Sequence, residues 1–318
     1  QTDDEADLTV QRGNAENLAL AKAVPGIDVI FAGHTDAGTR EPIVDPHNGT
    51  LIMQTYGQGQ HLGYLQIELD GSSGLSGDSV RLGHTGKLIT VDSDSLPADV
   101  RIESKLDHFR AEHPGIYEEV GVSKDYLSRR YYRESDLGNL FADIVREATG
   151  ADVGLMPSGA LRKDLPQGVI RRVDLFDAFP FEDHMASVTV TGSQLRQIVE
   201  QGLSLNRGIL QVSGMTICYA PEAEAFARSE KIYVHGEAIL PDETYTLGTL
   251  EILAQGGDAY VQFADALHTE IHAETFADEL ARYFSDRPAV EMPASGRLNV
   301  APCSNNVLTD PGSAAHAG

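Results

Sequence analysis

Residues 136–149, DLGNLFADIVREAT, set Leu137, Leu140, Phe141, Ile144 and Val145 on one helix face, and Gly150 ends the run. Residues 151–156 then read as a short strand that enters PSGALR. A helix with one wide apolar face has to bury it against another layer, so this pair asks for helices packed on a sheet. The segment 171–203 extends the pattern with a helical turn, a Phe-Pro-Phe loop, a strand over 186–191 and a helix from Ser193. Strands near 215–219, 231–234 and 245–249 lead into the loop AQGGDAY. Helix and strand alternate here without a regular parallel repeat, which predicts an α+β domain with a mixed sheet over 117–300.

The first third is patterned differently. NAENLALAKAV, 14–24, predicts a helix capped by Asn14 with Glu16 in its first turn. A Pro-Gly turn leads to Val29, Ile30, Phe31 and Ala32, an apolar run that predicts an interior strand. Strand-like segments follow at 50–56, 63–70 and 79–92, separated by Gly-rich turns such as GSSGLSG. LPADVRIESKLDHFRAE, 96–112, has Val100, Ile102, Leu106 and Phe109 near helical spacing and predicts a linker helix. The expected division is 1–93, a linker over 94–116, the second domain over 117–300 and a polar tail over 301–318, mostly disordered or draped on the surface.

Charge narrows the partners. Lys and Arg number 24 against 48 Asp and Glu, a net charge of −24, so a nucleic acid polymer or an anionic membrane surface is a poor match. No apolar run approaches the roughly 20 residues of a membrane-spanning helix. Cys218 and Cys303 lie far apart without metal-ligand spacing; they pair if the protein is exported, or stay as two thiols. The chain opens on Gln1 in a polar stretch, as if entered partway through a longer protein.

The turn after the first strand carries candidate chemistry. Gly33 permits a sharp bend, and His34 and Asp36 follow at spacing i, i+2. In open α/β sheets, ligands gather at strand carboxyl ends, where an imidazole and a carboxylate together reach one cation. The same pair equally suits a surface turn in which Asp36 accepts a bond from nearby backbone.

GIDVIFAGHTD followed by IMQTYGQGQHLGYLQIELD resembles the end of the metallophosphoesterase domain of the 5'-nucleotidase family. YRESDLGNLFADIVREATGADVGLMPSGALR, the DAFPF segment and LAQGGDAY are similar to that family's C-terminal substrate-binding domain. The resemblance runs in order from about residue 15 to 300. It implies α/β and α+β architecture: the remnant of a metallophosphoesterase β-sandwich, a linker helix and a mixed-sheet domain.

By that resemblance His34 is a ligand of a centre of two divalent ions, Zn²⁺, Mn²⁺ or similar. Asp36 stands where the family usually has His or Gln, and a carboxylate is a competent ligand. The family's other ligand motifs, Asp-x-His, Gly-Asp, Gly-Asn-His-Glu and Ser/Thr-His-x-Gly, do not occur in the sequence. A two-ion centre needs about seven or eight ligands, so the chain is expected to hold at most part of one, with no catalytic residue of its own. A missing N-terminal segment or a complementing chain would supply the rest.

The resemblance also implies a substrate side. Arg162 matches a nucleotide-contacting arginine, Phe181 an aromatic that stacks on the base, and Asp258 a carboxylate that binds sugar hydroxyls; Gly256 and Gly257 let the backbone approach the ligand. Three positions depart: Ile252 replaces a second stacking Phe, Pro157 an Asn, and Tyr131 an Arg, with Arg130 and Arg133 flanking as substitutes. The implied function is metal-dependent hydrolysis of nucleotide phosphate esters, with this chain supplying mainly the substrate-binding domain, in a periplasmic or extracellular protein. The alternatives are a nucleoside or sugar binding module without catalysis, and a relative acting on a non-nucleotide ester.

Overall fold

Among residues 1–110, one of two compact units of the chain, the apolar segments form small, separate sheets. The structure is a computed structural model that describes residues 13–35, 37–57, 59–69, 81–92, 95–205 and 208–303. Helix α1 (Ala15–Ala23) leads to β1 (Val29–Ala32), β2 (Ile43–Val44) and β3 (Leu51–Gln54). These form a three-stranded sheet in the order β1-β3-β2, with β1 and β3 parallel. Strands β4 (His61–Leu69) and β5 (Arg81–Thr90) make a separate antiparallel pair. Helix α2 (Val100–Glu112) follows, spanning the boundary at Arg110.

Two expectations need correction here. Asn14 stands at the N-cap of α1, but its side chain does not cap the helix. It is buried, donates to the Ala37 carbonyl (3.1 Å) and accepts from the Asn17 amide, so tertiary bonding takes it from the helix end. The apolar run 29–32 is a sheet-edge strand among the described residues, and Phe31 is 74% exposed. Apolar composition marks a strand, whereas burial also requires a covering layer. Helix α2 buries none of its side chains, with Val100 80% exposed. The GSSGLSG turn, Asp36, Gln1 and the tail beyond Cys303 lie outside the described residues.

The second unit, Ala111–Gly318, holds the larger core. Its elements are β6 (Glu119–Ser123), α3 (Asp136–Thr149), β7 (Val153–Pro157), β8 (Gly168–Arg171), α4 (Arg172–Ala178), β9 (His184–Thr191) and α5 (Gly192–Leu203). Then come β10 (Leu210–Ser213), β11 (Met215–Tyr219), β12 (Ser229–Val234), β13 (Glu237–Ala238), β14 (Thr244–Leu250) and α6 (Glu251–Ala254). Strand β15 (His268–Thr275), α7 (Phe276–Ser285) and β16 (Leu298–Val300) complete it. A five-stranded mixed sheet runs β10-β7-β14-β9-β15, with β7 and β14 parallel at its centre and the other pairings antiparallel. A four-stranded sheet runs β13-β12-β11-β16, and β6 pairs with β8.

Strand alternation divides the apolar side chains between the two faces of the large sheet. Leu155 and Val188 join Leu195, Ile198, Ile217 and Ile232 in one cluster, with α5 and the four-stranded sheet. Met156 and Met185 join Phe141, Ile144, Phe276 and Leu280 in the other, with α3 and α7. Helix α3 starts at Ser135, whose hydroxyl accepts from the Gly138 amide, and stops at Gly150 with φ 63°. It lies close on the sheet because Gly154 and Gly248 stand beneath it. A Cβ at Gly154 would fall 2.1 Å from the Ala142 carbonyl oxygen, and one at Gly248 2.1 Å from Thr149 Oγ1. Cys218 on β11 forms a disulfide with Cys303, so the pairing left open by the sequence is made.

Candidate functional site: a cleft at the end of the mixed sheet

Strands β7 and β14 run parallel and end at Pro157 and Leu250, and β9 enters at the same edge, where Met185 pairs with Leu250. Carboxyl ends of a parallel pair are where such sheets accommodate ligands. A cleft of about 650 Å³ opens there, with Arg162, Phe181, Asp183, Ile252 and Asp258 in its walls. These side chains come from three segments distant in sequence.

Each is positioned by local structure. After β7 the chain makes a short turn, with the Ser158 amide donating to the Ile209 carbonyl (3.0 Å). The Arg162 amide donates to the Ala178 carbonyl at the end of α4 (2.8 Å), which fixes where the guanidinium starts. Helix α4 runs into Phe179, which is buried edge-on against Phe141 and Phe276, with ring centroids 6.4 Å and 5.0 Å away. Phe181, two residues on, meets Phe179 edge-on at 5.3 Å and stays 37% exposed in the cleft. The Arg162 guanidinium lies 5.3 Å from its ring centre, a cation–π pair on the wall.

The third segment follows β14. Helix α6 ends in a turn where Gly256 has φ 87° and Asp258 and Ala259 also take positive φ, 51° and 66°. Such conformations are uncommon away from glycine and persist where neighbours hold them. The hold here is the buried Tyr260, whose amide donates to the Gly257 carbonyl (3.0 Å). Gly257 is constrained differently, since a Cβ would sit 2.5 Å from the Ile252 carbonyl oxygen. Neither glycine is in the cleft wall; together they form the turn that presents Asp258 to it.

Glu182 and Asp183 also line the cleft, and sequence reasoning did not single them out, although both stand in the FPFED motif. Burial pushes the Asp183 carboxyl above the ordinary value of 3.8, against the lowering effect of bonds from the Ile252 and His184 amides. Three carboxylates and one guanidinium therefore face the cleft. Arg130 and Arg133 are not in its wall; the Arg130 guanidinium reaches the Arg129 carbonyl (3.5 Å), and the Arg133 carbonyl accepts from Gln211 (2.8 Å). Arg129 comes nearer, donating to the Leu161 carbonyl (3.3 Å) beside Arg162.

In the first unit His34 is exposed, with φ 74°, in a turn closed by the Thr35 amide on the Gly33 carbonyl (2.9 Å). The Thr35 hydroxyl donates to the Gly13 carbonyl (3.1 Å) and accepts from Gln54 (2.7 Å), which anchors the turn to β3. Among the described residues no group of three or more His, Cys, Asp or Glu side chains is arranged to hold a metal ion. One exposed imidazole does not fit a two-ion centre by itself.

Residues 119–265 match the family model for the 5'-nucleotidase, C-terminal domain. Over that stretch the chain is similar to a 5'-nucleotidase C-terminal domain. The matched stretch of that domain spans all three segments that wall the cleft. The chain is 28% identical over 293 residues to the trifunctional nucleotide phosphoesterase protein YfkN of Bacillus subtilis, covering 85% of this chain and 20% of that protein. It is 23% identical over 325 residues to the human 5'-nucleotidase, covering 88% of this chain and 55% of that one. Its fold matches the 5'-nucleotidase precursor of Thermus thermophilus with a TM-score of 0.81 at 21% identity, over 91% of this chain and 62% of the other. The chain thus spans from a fifth to under two thirds of these proteins' lengths. Among the described residues no helix is long and apolar enough to cross a membrane.

Proposed function

We propose that the cleft of the 5'-nucleotidase C-terminal domain binds the nucleoside part of a nucleotide, in a protein that hydrolyses nucleotide phosphate esters with divalent metal ions. The observation that carries this reading is the convergence of Arg162, Phe181 and Asp258 from three segments on one cleft. Phe181 offers an aromatic surface for a base, and Asp258 accepts from sugar hydroxyls. Arg162 supplies a planar fork for phosphate oxygens at the edge of an otherwise acidic wall. The acidic wall suits a neutral, hydroxyl-bearing group better than a phosphate, which favours placing the nucleoside within and the phosphate toward Arg162.

The hydrolytic step belongs to metal ions that the described residues do not hold, so this chain's part is to bind and orient. His34 and Asp36 would contribute to that centre, and polypeptide outside residues 1–318 would supply its remaining ligands. The Cys218–Cys303 disulfide supports a periplasmic or extracellular location, since such bonds persist in oxidising compartments. A second reading, an ester without a nucleobase, is favoured by Ile252, which is 48% exposed in the cleft and offers no aromatic face opposite Phe181.

Calorimetric titration of residues 1–318 with nucleosides tests the assignment. Phe181→Ala and Asp258→Ala are each expected to weaken binding about tenfold or more, given roughly 1–3 kcal/mol for base stacking on an aromatic ring. His34→Ala is expected to leave it unchanged. Equal losses from all three in folded proteins would show that the site is divided wrongly, and ribose binding without any effect of the base would favour the second reading.

A further inference from the structure

The polar wall of the cleft is dominated by acceptors. Glu182 and Asp183 follow Phe181 directly in the chain and both line the cleft. The Asp183 side chain is half-buried, and its main chain is fixed where its carbonyl accepts from the Phe276 amide (2.9 Å). The carboxylate therefore belongs to the same wall as the aromatic surface, two residues along the chain from it. An ionised carboxylate has about four acceptor sites and no donor, so it can take N–H groups from a ligand.

A base lying on Phe181 turns its hydrogen-bonding edge toward in-plane groups. Guanine presents two adjacent donors, N1–H and the 2-amino group, that match the two oxygens of one carboxylate. Adenine presents an unprotonated ring nitrogen on the same edge, and an acceptor facing a carboxylate is repelled. Resting on the nucleoside reading above, we propose that Asp183 is a specificity-determining residue that selects guanine over adenine in this cleft. Partial burial strengthens the discrimination, because a carboxylate with restricted access to water gains more from a ligand's donors and loses more from a mismatched acceptor. The upward displacement of its pKa reflects that same desolvation.

The test is calorimetric titration of residues 1–318 with guanosine, inosine and adenosine at pH 7. Inosine keeps N1–H and lacks the 2-amino group, so the expected order is guanosine, then inosine, then adenosine. Guanosine should exceed adenosine by roughly tenfold to a hundredfold, the range for hydrogen bonds to a charged group. Asp183→Asn keeps the shape while replacing one acceptor by a donor, and should reduce the guanosine preference to about threefold or less by favouring adenine's edge. Adenosine binding as tightly as guanosine would overturn the inference and leave the nucleoside reading standing, as would an unchanged ratio in folded Asp183→Asn. Failure of every nucleoside to bind would overturn both. If the substituted protein does not fold, the order of the three nucleosides on the unsubstituted chain decides alone.

Discussion

The two units use similar apolar residues to opposite effect. In the second unit, aromatic and aliphatic side chains from α3, α7 and both main sheets are buried in two clusters that sandwich one sheet. In the first unit, Phe31 on β1 and Val100, Ile102, Leu106 and Phe109 on α2 are exposed, and the buried apolar set centres on Leu51, Ile52 and Met53 of β3. An isolated two-stranded pair such as β4–β5 is marginal without a layer to cover it. Apolar content is therefore no measure of a core: a sheet with helices on one face and a second sheet on the other buries its stripes, and a small sheet without them does not. The same difference also explains where the cleft lies. A cleft whose shape depends on Phe179 packed against Phe141 and Phe276 needs the rigid unit beneath it.

Deleting one phenylalanine from each region should have very different costs. Phe141→Ala, in the buried cluster under α3, should destabilise the second unit by about 3–5 kcal/mol in chemical denaturation. Phe31→Ala, at an exposed strand edge, should change stability by no more than about 0.5 kcal/mol. Similar losses at both positions would mean that Phe31 is buried in solution. The disulfide gives a slightly smaller effect confined to the second unit. Replacing Cys218 and Cys303 by Ala should lower that unit's stability by about 2–5 kcal/mol and leave exchange of β1–β3 amides unchanged, as read by hydrogen exchange.

The smallest expected effect is electrostatic and has opposite signs in the two regions. Asp45, in the first unit, accepts from the Asn48 and His47 amides (2.6 Å and 3.1 Å), which hold its carboxyl below 3.8. Its contribution is present above the unfolded pKa and is lost as pH falls through the lowered value. Asp183 is displaced upward by burial, so the folded state binds its proton more tightly than the unfolded chain does. As pH falls through that raised value, the folded state is relieved of a half-buried charge and gains stability relative to neutral pH. Carboxyl-carbon NMR titration should therefore find Asp45 ionising below 3.8 and Asp183 above it. The reverse order would remove the claim that the cleft desolvates its acids.

Sequence alone determined the local pieces and the candidate ligand groups. The period of Leu137, Leu140, Phe141, Ile144 and Val145 with a serine before and a glycine after fixed α3, because capping and a 3.6-residue stripe are properties of a short segment. Motif order along the chain marked Arg162, Phe181, Ile252 and Asp258 as belonging together, and all four line one cleft. Strands β6, β8, β10, β15 and β16 and helix α7 were not legible, since short strands acquire their identity from partners far along the chain. Only tertiary structure decided that Phe31 lies exposed, that Asn14 bonds to the Ala37 carbonyl, and that Cys218 meets Cys303. It alone gave Asp183 its place. A carboxylate in a loop has no character of its own until the fold half-buries it and takes water from around it.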